Sequence, residues 1–111
     1  AEAWLLRAAA EAPNSREPWC ALSTLYYRMA RWLESYTCAL RALLIKDREL
    51  VYTVDPAVWG AQPYDLAAIA AWNMGMKELA AEHGAKAVEL EPDNGRLKEN
   101  LLWFRGEKTV G

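Results

Sequence analysis

Trp19, Leu22 and Tyr26 fall three and four residues apart, the spacing that puts side chains on one face of an α-helix. The runs 17–30 and 33–46 predict two helices with a break at Ala30-Arg31. A second pair is predicted over 63–92. It opens near Tyr64, breaks at Gly75 and carries Ala80, Gly84 and Ala87 on one face. Small residues at helical spacing let a neighbouring helix approach closely. Pro92 stops this pair, because proline cannot continue a helix interior. Residues 1–12, with Leu5 and Ala8, predict a helix before the pairs. Residues 94–105 predict one after them, with Leu97, Leu101 and Leu102 on one face. No stretch alternates with the period of two that a series of strands needs. The expected fold class is therefore all-α, with five or six helices in antiparallel pairs and no sheet.

The two pairs repeat one another. Trp19-x-x-Leu22-Ser23-x-x-Tyr26 is followed by Ala30, Ala39, Ala42 and Leu43. Tyr64-x-x-Ala67-Ala68-x-x-Ala71 is followed by Gly75, Ala80, Gly84, Ala87 and Val88. Each opens on a large aromatic and places small residues at matching offsets. This pattern resembles the tetratricopeptide repeat, whose period is about 34 residues, and Pro13 and Pro92 fall where that family's closing proline falls. The resemblance implies a single domain, 1–111, built as an antiparallel helix-hairpin solenoid of about 2.5 to 3 repeats. Its parts would be a half repeat (1–12), a hairpin (17–46), a connector (47–62), a second hairpin (63–92) and a capping helix (94–105). The chain enters at Ala1 in mid-pattern, so we expect it to be a piece of a longer protein.

Trp19 and Tyr64 lie 45 residues apart, about 11 more than the repeat period. The surplus falls in the connector. Leu50, Val51, Tyr52, Val54, Val58 and Trp59 make it apolar, so residues 50–62 should be ordered and pack on the hairpins. Asp55-Pro56 predicts a short helical turn, with Asp55 as its cap. The string Tyr52-x-x-Asp55-Pro56-x-x-Trp59-Gly60-x-x-Pro63-Tyr64-Asp65-Leu66 is similar to the repeat region that follows the catalytic domain in some bacterial and phage family-2 glycosyltransferases. Arg16-Glu17-Pro18-Trp19 before it and Pro92-x-Asn94 after it agree. That resemblance implies a parent protein that transfers a sugar from a nucleotide donor, with this chain as a non-catalytic accessory domain. A stand-alone adaptor binding a peptide or partner protein is the alternative.

Composition narrows the chemistry. Thirteen basic residues face fifteen acidic ones, without the basic stripe that nucleic-acid binding needs. No apolar window is long enough to span a membrane. Cys20 and Cys38 are too few for a disulfide framework, and helical geometry predicts two buried, unbridged thiols, which fits a cytoplasmic setting. The chain holds no Asp-x-Asp motif, no glycine-rich phosphate loop and no metal-ligand cluster, so neither a cofactor nor a metal is expected. Glu89, Glu91 and Asp93 read as a solvated helix end. His83, the only histidine, lacks partners for a zinc site and reads as partly buried or at the surface.

Six tryptophans and five tyrosines are a surplus for 111 residues. Trp19, Tyr26 and Trp32 read as core, and Trp59 as packing of the connector. In the family resembled, ligands lie in a groove lined by the first helix of each repeat. Carried over position by position, that groove would hold Cys20, Thr24, Tyr27 and Arg28 from the first hairpin, and Asp65, Ile69, Trp72 and Asn73 from the second. The lysine- and asparagine-lined variant that clamps a peptide's C-terminal carboxylate is not matched, since Asp65 would repel it and Ile69 cannot donate to it. The expected occupant is a protein or peptide, or another domain of the same chain, with self-association as a further possibility.

Overall fold

The computed structural model describes residues 2–11, 15–45 and 56–107. These form six α-helices: α1 (Glu2–Glu11), α2 (Arg16–Arg28), α3 (Trp32–Leu44), α4 (Gln62–Asn73), α5 (Lys77–Leu90) and α6 (Gly95–Phe104). A 3-10 turn, Pro56–Trp59, precedes α4. Among the described residues there is no strand. None of the helices is long and apolar enough to cross a membrane.

Each helix packs chiefly on its neighbours in sequence, and every neighbouring pair is antiparallel. The start of α2 meets the end of α3 where the Arg16 guanidinium donates to the Ile45 carbonyl. Ala61, before α4, joins Ala87 near the end of α5 in one cluster, with Leu97 of α6. Leu22 and Tyr26 of α2 take Ala9 of α1 on one side and Cys38 of α3 on the other. The stack is elongated, 47 × 27 × 18 Å.

The turns repeat with the helices. After α2, the amides of Met29, Ala30 and Arg31 turn back onto the carbonyls of Leu25, Tyr26 and Tyr27. After α4, Met74, Gly75 and Met76 do the same onto Ala70, Ala71 and Trp72. The middle residue must adopt positive φ in this closure, and Ala30 (56°) and Gly75 (80°) both do. The pattern recurs after α6: Gly106 has φ 73° and donates to Trp103, while Glu107 donates to Leu102. So α6 closes with the same turn as α2 and α4.

Inside the first hairpin Ser23 and Ser35 are fully buried and bond reciprocally. Ser23 Oγ donates to the Ser35 carbonyl at 2.7 Å, and Ser35 Oγ to the Ser23 carbonyl at 2.9 Å. In the second hairpin Ala68 and Ala80 hold the equivalent places and meet without polar atoms. Gly84 lets α6 come close to α5. A Cβ there would stand 2.8 Å from the Phe104 ring.

The apolar face of α6 differs from the sequence expectation. Leu97, Leu101 and Phe104 are buried, whereas Leu102 is 40% exposed. Intervals of four and three keep 97, 101 and 104 on one face, and Leu102 turns about 100° away from Leu101. Cys20 and Cys38 are buried and form no disulfide. Of the connector, Pro56–Gln62 is described. Val58 is buried with Cys20 and Ala42, and Trp19 and Trp59 pack against that cluster. Leu50, Val51, Tyr52, Val54 and Asp55 lie outside the described residues.

Arg16 ties this corner together. It is buried, and donates to the carbonyls of Ile45 at 2.8 Å and Val58 at 3.0 Å. Its guanidinium lies 4.3 Å from the Trp59 ring centroid. Burial lowers its pKa, yet the two carbonyls and the ring give the cation acceptors on both edge and face.

Candidate functional site

A helical hairpin turns one face of its first helix away from its partner. Where two such first helices lie side by side, those faces line a groove. Here α2 and α4 are the pair, and α6 extends the row. Thr24, Tyr27 and Arg28 of α2 and Asp65, Leu66 and Ile69 of α4 line one depression, closed at its far side by Glu91, Asn94, Arg96 and Leu97. Thr24, Arg28 and Gln62 also line a second depression, with Leu5 of α1 and Glu17, Cys20, Ala21 and Leu25 of α2. The shared residues join the two into one groove running from α1 to α6.

Of the residues expected in the groove, Thr24, Tyr27, Arg28, Asp65 and Ile69 stand together here, with Cys20 in its α1 half. Trp72 and Asn73 stand elsewhere. Trp72 packs against Phe104 at 5.7 Å between centroids, with the Lys77 ammonium 5.9 Å from its ring. It lines a separate depression with Trp103 and Arg105. Asn73 is exposed, and its side-chain amide donates to the Ile69 carbonyl.

The groove floor is apolar, from Leu66, Ile69 and Leu97, and its charges are unevenly matched. Arg96 reaches across from α6 to Asp65, Nη2 to Oδ2 at 2.8 Å and Nη1 to Oδ1 at 3.4 Å. That bond raises the Arg96 pKa and occupies the carboxylate. Thr24 spends its hydroxyl on the Cys20 carbonyl. Arg28 is exposed and has no hydrogen-bond or ion-pair partner among the described residues. The Gln62 carboxamide oxygen is buried at the join of the two halves, also without a partner among them.

Gln62, Glu91, Asn94, Arg96 and Leu97 were not expected from the sequence. Cys20, Asp65 and Arg96 occupy the same position relative to the three glycine-type turns at residues 30, 75 and 106. Aligning α6 with α2 and α4 by their closing turns would have placed Arg96 beside Asp65. The signal was Gly106, eleven residues after Gly95.

Outside the groove, the Tyr36 hydroxyl and His83 Nε2 are 3.1 Å apart, with the rings edge to face. Burial lowers the His83 pKa, against a smaller opposing effect of Glu82. Burial also pushes the Cys38 thiol up to about 11, which keeps it protonated. Glu89, Glu91 and Asp93 are exposed at the end of α5. Among the described residues, no three His, Cys, Asp or Glu side chains are placed to hold a metal ion. No protein-family model matches this chain, and no curated protein matches it.

Proposed function

We propose that this chain is a tetratricopeptide-type helical repeat module whose work is binding, with the groove across α2, α4 and α6 as the seat of an extended polypeptide segment. The observation that carries this is the assembly of Thr24, Tyr27, Arg28, Asp65 and Ile69 along one groove with an apolar floor and a cation, Arg28, that has no partner among the described residues. An extended strand of partner protein fits such a trough. An apolar side chain lies over Leu66 and Ile69. An acidic side chain meets Arg28 within the segment, so no C-terminal carboxylate is needed. Charge-assisted hydrogen bonds of this kind contribute about 1.5–3 kcal/mol. The resemblance of the connector extends the proposal to an accessory role beside a glycosyltransferase catalytic domain, where the segment held belongs to the same protein. A stand-alone adaptor would hold a separate protein.

The test is selection from a displayed peptide library on the purified chain, followed by calorimetry. Selected peptides should pair an acidic with an apolar residue. Arg28→Glu should weaken them by about tenfold or more. It should leave the unfolding midpoint unchanged, since Arg28 supports nothing else in the described structure. Peptides indifferent to both Arg28→Glu and Ile69→Asp would place the binding surface elsewhere.

A further inference from the structure

The depression over Leu66, Ile69 and Leu97 is walled on both sides, and each wall carries a charge that the fold leaves open. Arg28 stands on α2, and Glu91 stands on the far side, where α5 ends and the chain turns into α6. Both are exposed. Arg28 has no hydrogen-bond or ion-pair partner among the described residues. Glu91 has no ion-pair partner among them, and its carboxylate accepts from the Asn94 carboxamide at 3.2 Å. The charges between these two cancel. Asp65 and Arg96 hold each other at 2.8 Å. That bond is the chief cause of the raised Arg96 pKa, and Glu91 contributes least to it. Arg96 therefore belongs to Asp65. The other side chains lining the depression are uncharged. Of the acidic residues beside Glu91, Glu89 is paired with Lys86 at 3.6 Å, and Asp93 does not line the depression. What remains is one open cation on the α2 wall and one open carboxylate on the opposite wall.

We propose that the polypeptide segment held in this groove carries two opposite charges, an acidic side chain at Arg28 and a basic one at Glu91, with its apolar side chain between them over Leu66, Ile69 and Leu97. This rests on the groove reading above, and adds to it the second charge and the order of the three residues. Two helix spacings of about 8–10 Å each are crossed by an extended chain that advances about 3.3 Å per residue. With both groove side chains reaching inward, the acid and the base then stand roughly three to six residues apart. A segment with acids at both places would set a carboxylate against Glu91, and one with bases at both would set a cation against Arg28. Like charges set against one another reject wrong partners more strongly than exposed pairs attract the right one. The two walls thus act as a filter for charge order.

Selection of random displayed peptides on the purified chain tests it, followed by calorimetry on a synthetic copy of a selected peptide. Selected peptides should carry an acid and a base at that spacing, in one order, with an apolar residue between them. Arg28→Glu and Glu91→Lys should each weaken the copy by about tenfold. Glu91→Gln keeps an acceptor for Asn94 and should cost less, about threefold. Both positions are exposed, and circular dichroism should show unchanged helicity in every variant. The protein carrying Arg28→Glu together with Glu91→Lys should reject the original peptide and bind one with its acid and base exchanged. Binding that responds to Arg28→Glu and Ile69→Asp but not to Glu91→Lys would overturn this inference and leave the groove reading standing. Selected peptides with acids alone, or an exchanged peptide that the double variant ignores, would do the same. Indifference to all three single changes, or a selection that yields no peptide, would overturn both.

Discussion

Ala30 holds a backbone conformation that a side chain resists, with φ at 56°. Its counterpart in the second hairpin, Gly75, holds φ at 80°, and a Cβ added there would meet nothing within 4 Å. Any cost at either site is thus backbone strain alone. A left-handed residue with a Cβ costs roughly 1–2 kcal/mol, partly offset by the unfolded-state entropy of glycine. Ala30→Gly should therefore stabilise the chain by about 0.5–1 kcal/mol, and Gly75→Ala should destabilise it by about 1 kcal/mol. Urea unfolding of both variants decides this. Shifts of the same sign would remove the turn as the cause. The site of each turn was legible because one break held a glycine and both sat at the same offset from an aromatic opener. Thr24, Tyr27, Arg28, Asp65 and Ile69, carried over position by position from the resembled family, do line one depression. Trp72 and Asn73 do not line it, because Trp72 packs against Phe104 of α6 and Asn73 bonds back to the Ile69 carbonyl of its own helix.

At the level of elements, the connector region is held by a polar anchor as well as by apolar contacts. Arg16 binds the end of α3 and the 3-10 turn at once, through Ile45, Val58 and Trp59. Arg16→Met keeps much of the volume but strands two carbonyls and removes the cation from the ring. It should cost about 2–4 kcal/mol. Arg16→Lys should recover less than half of that, since an ammonium cannot serve two carbonyls with a planar fork. A loss below about 0.5 kcal/mol, the scale of an ordinary surface change, would show that the corner stands without its anchor. The sequence pointed to packing by Val58 and Trp59 through their hydrophobicity. It gave no sign of Arg16, because a buried arginine is recognised by carbonyls 29 and 42 residues away. The likeness of the α6 turn to those after α2 and α4 was hidden for a similar reason, since the apolar pattern of α6 does not reveal how it closes.

Across the whole molecule, Tyr36 and His83 link the first hairpin to the second, α3 to α5 past α4. Burial lowers the His83 pKa from 6.5, so the folded chain resists the proton that the unfolded chain accepts. The unfolded state then binds more protons as pH falls below 6.5, and stability present above that value is lost through the window beneath it. The unfolding midpoint should drop between about pH 7 and pH 5.5, and His83→Gln should flatten that drop. Equal slopes in the two proteins would mean that His83 ionises as freely in the fold as outside it. The two hairpins carry similar turns and similar small-residue faces, so each first helix has a plausible wrong partner in the other pair. Ser23 set against Ala80 in place of Ser35 would keep a backbone carbonyl as acceptor but lose the bond that the Ser35 hydroxyl returns, at about 0.5–1.5 kcal/mol. The serines work as a key with one extra tooth: α2 gains on α3 a bond that α5 cannot return, and the alanine pair of the other hairpin carries no such mark.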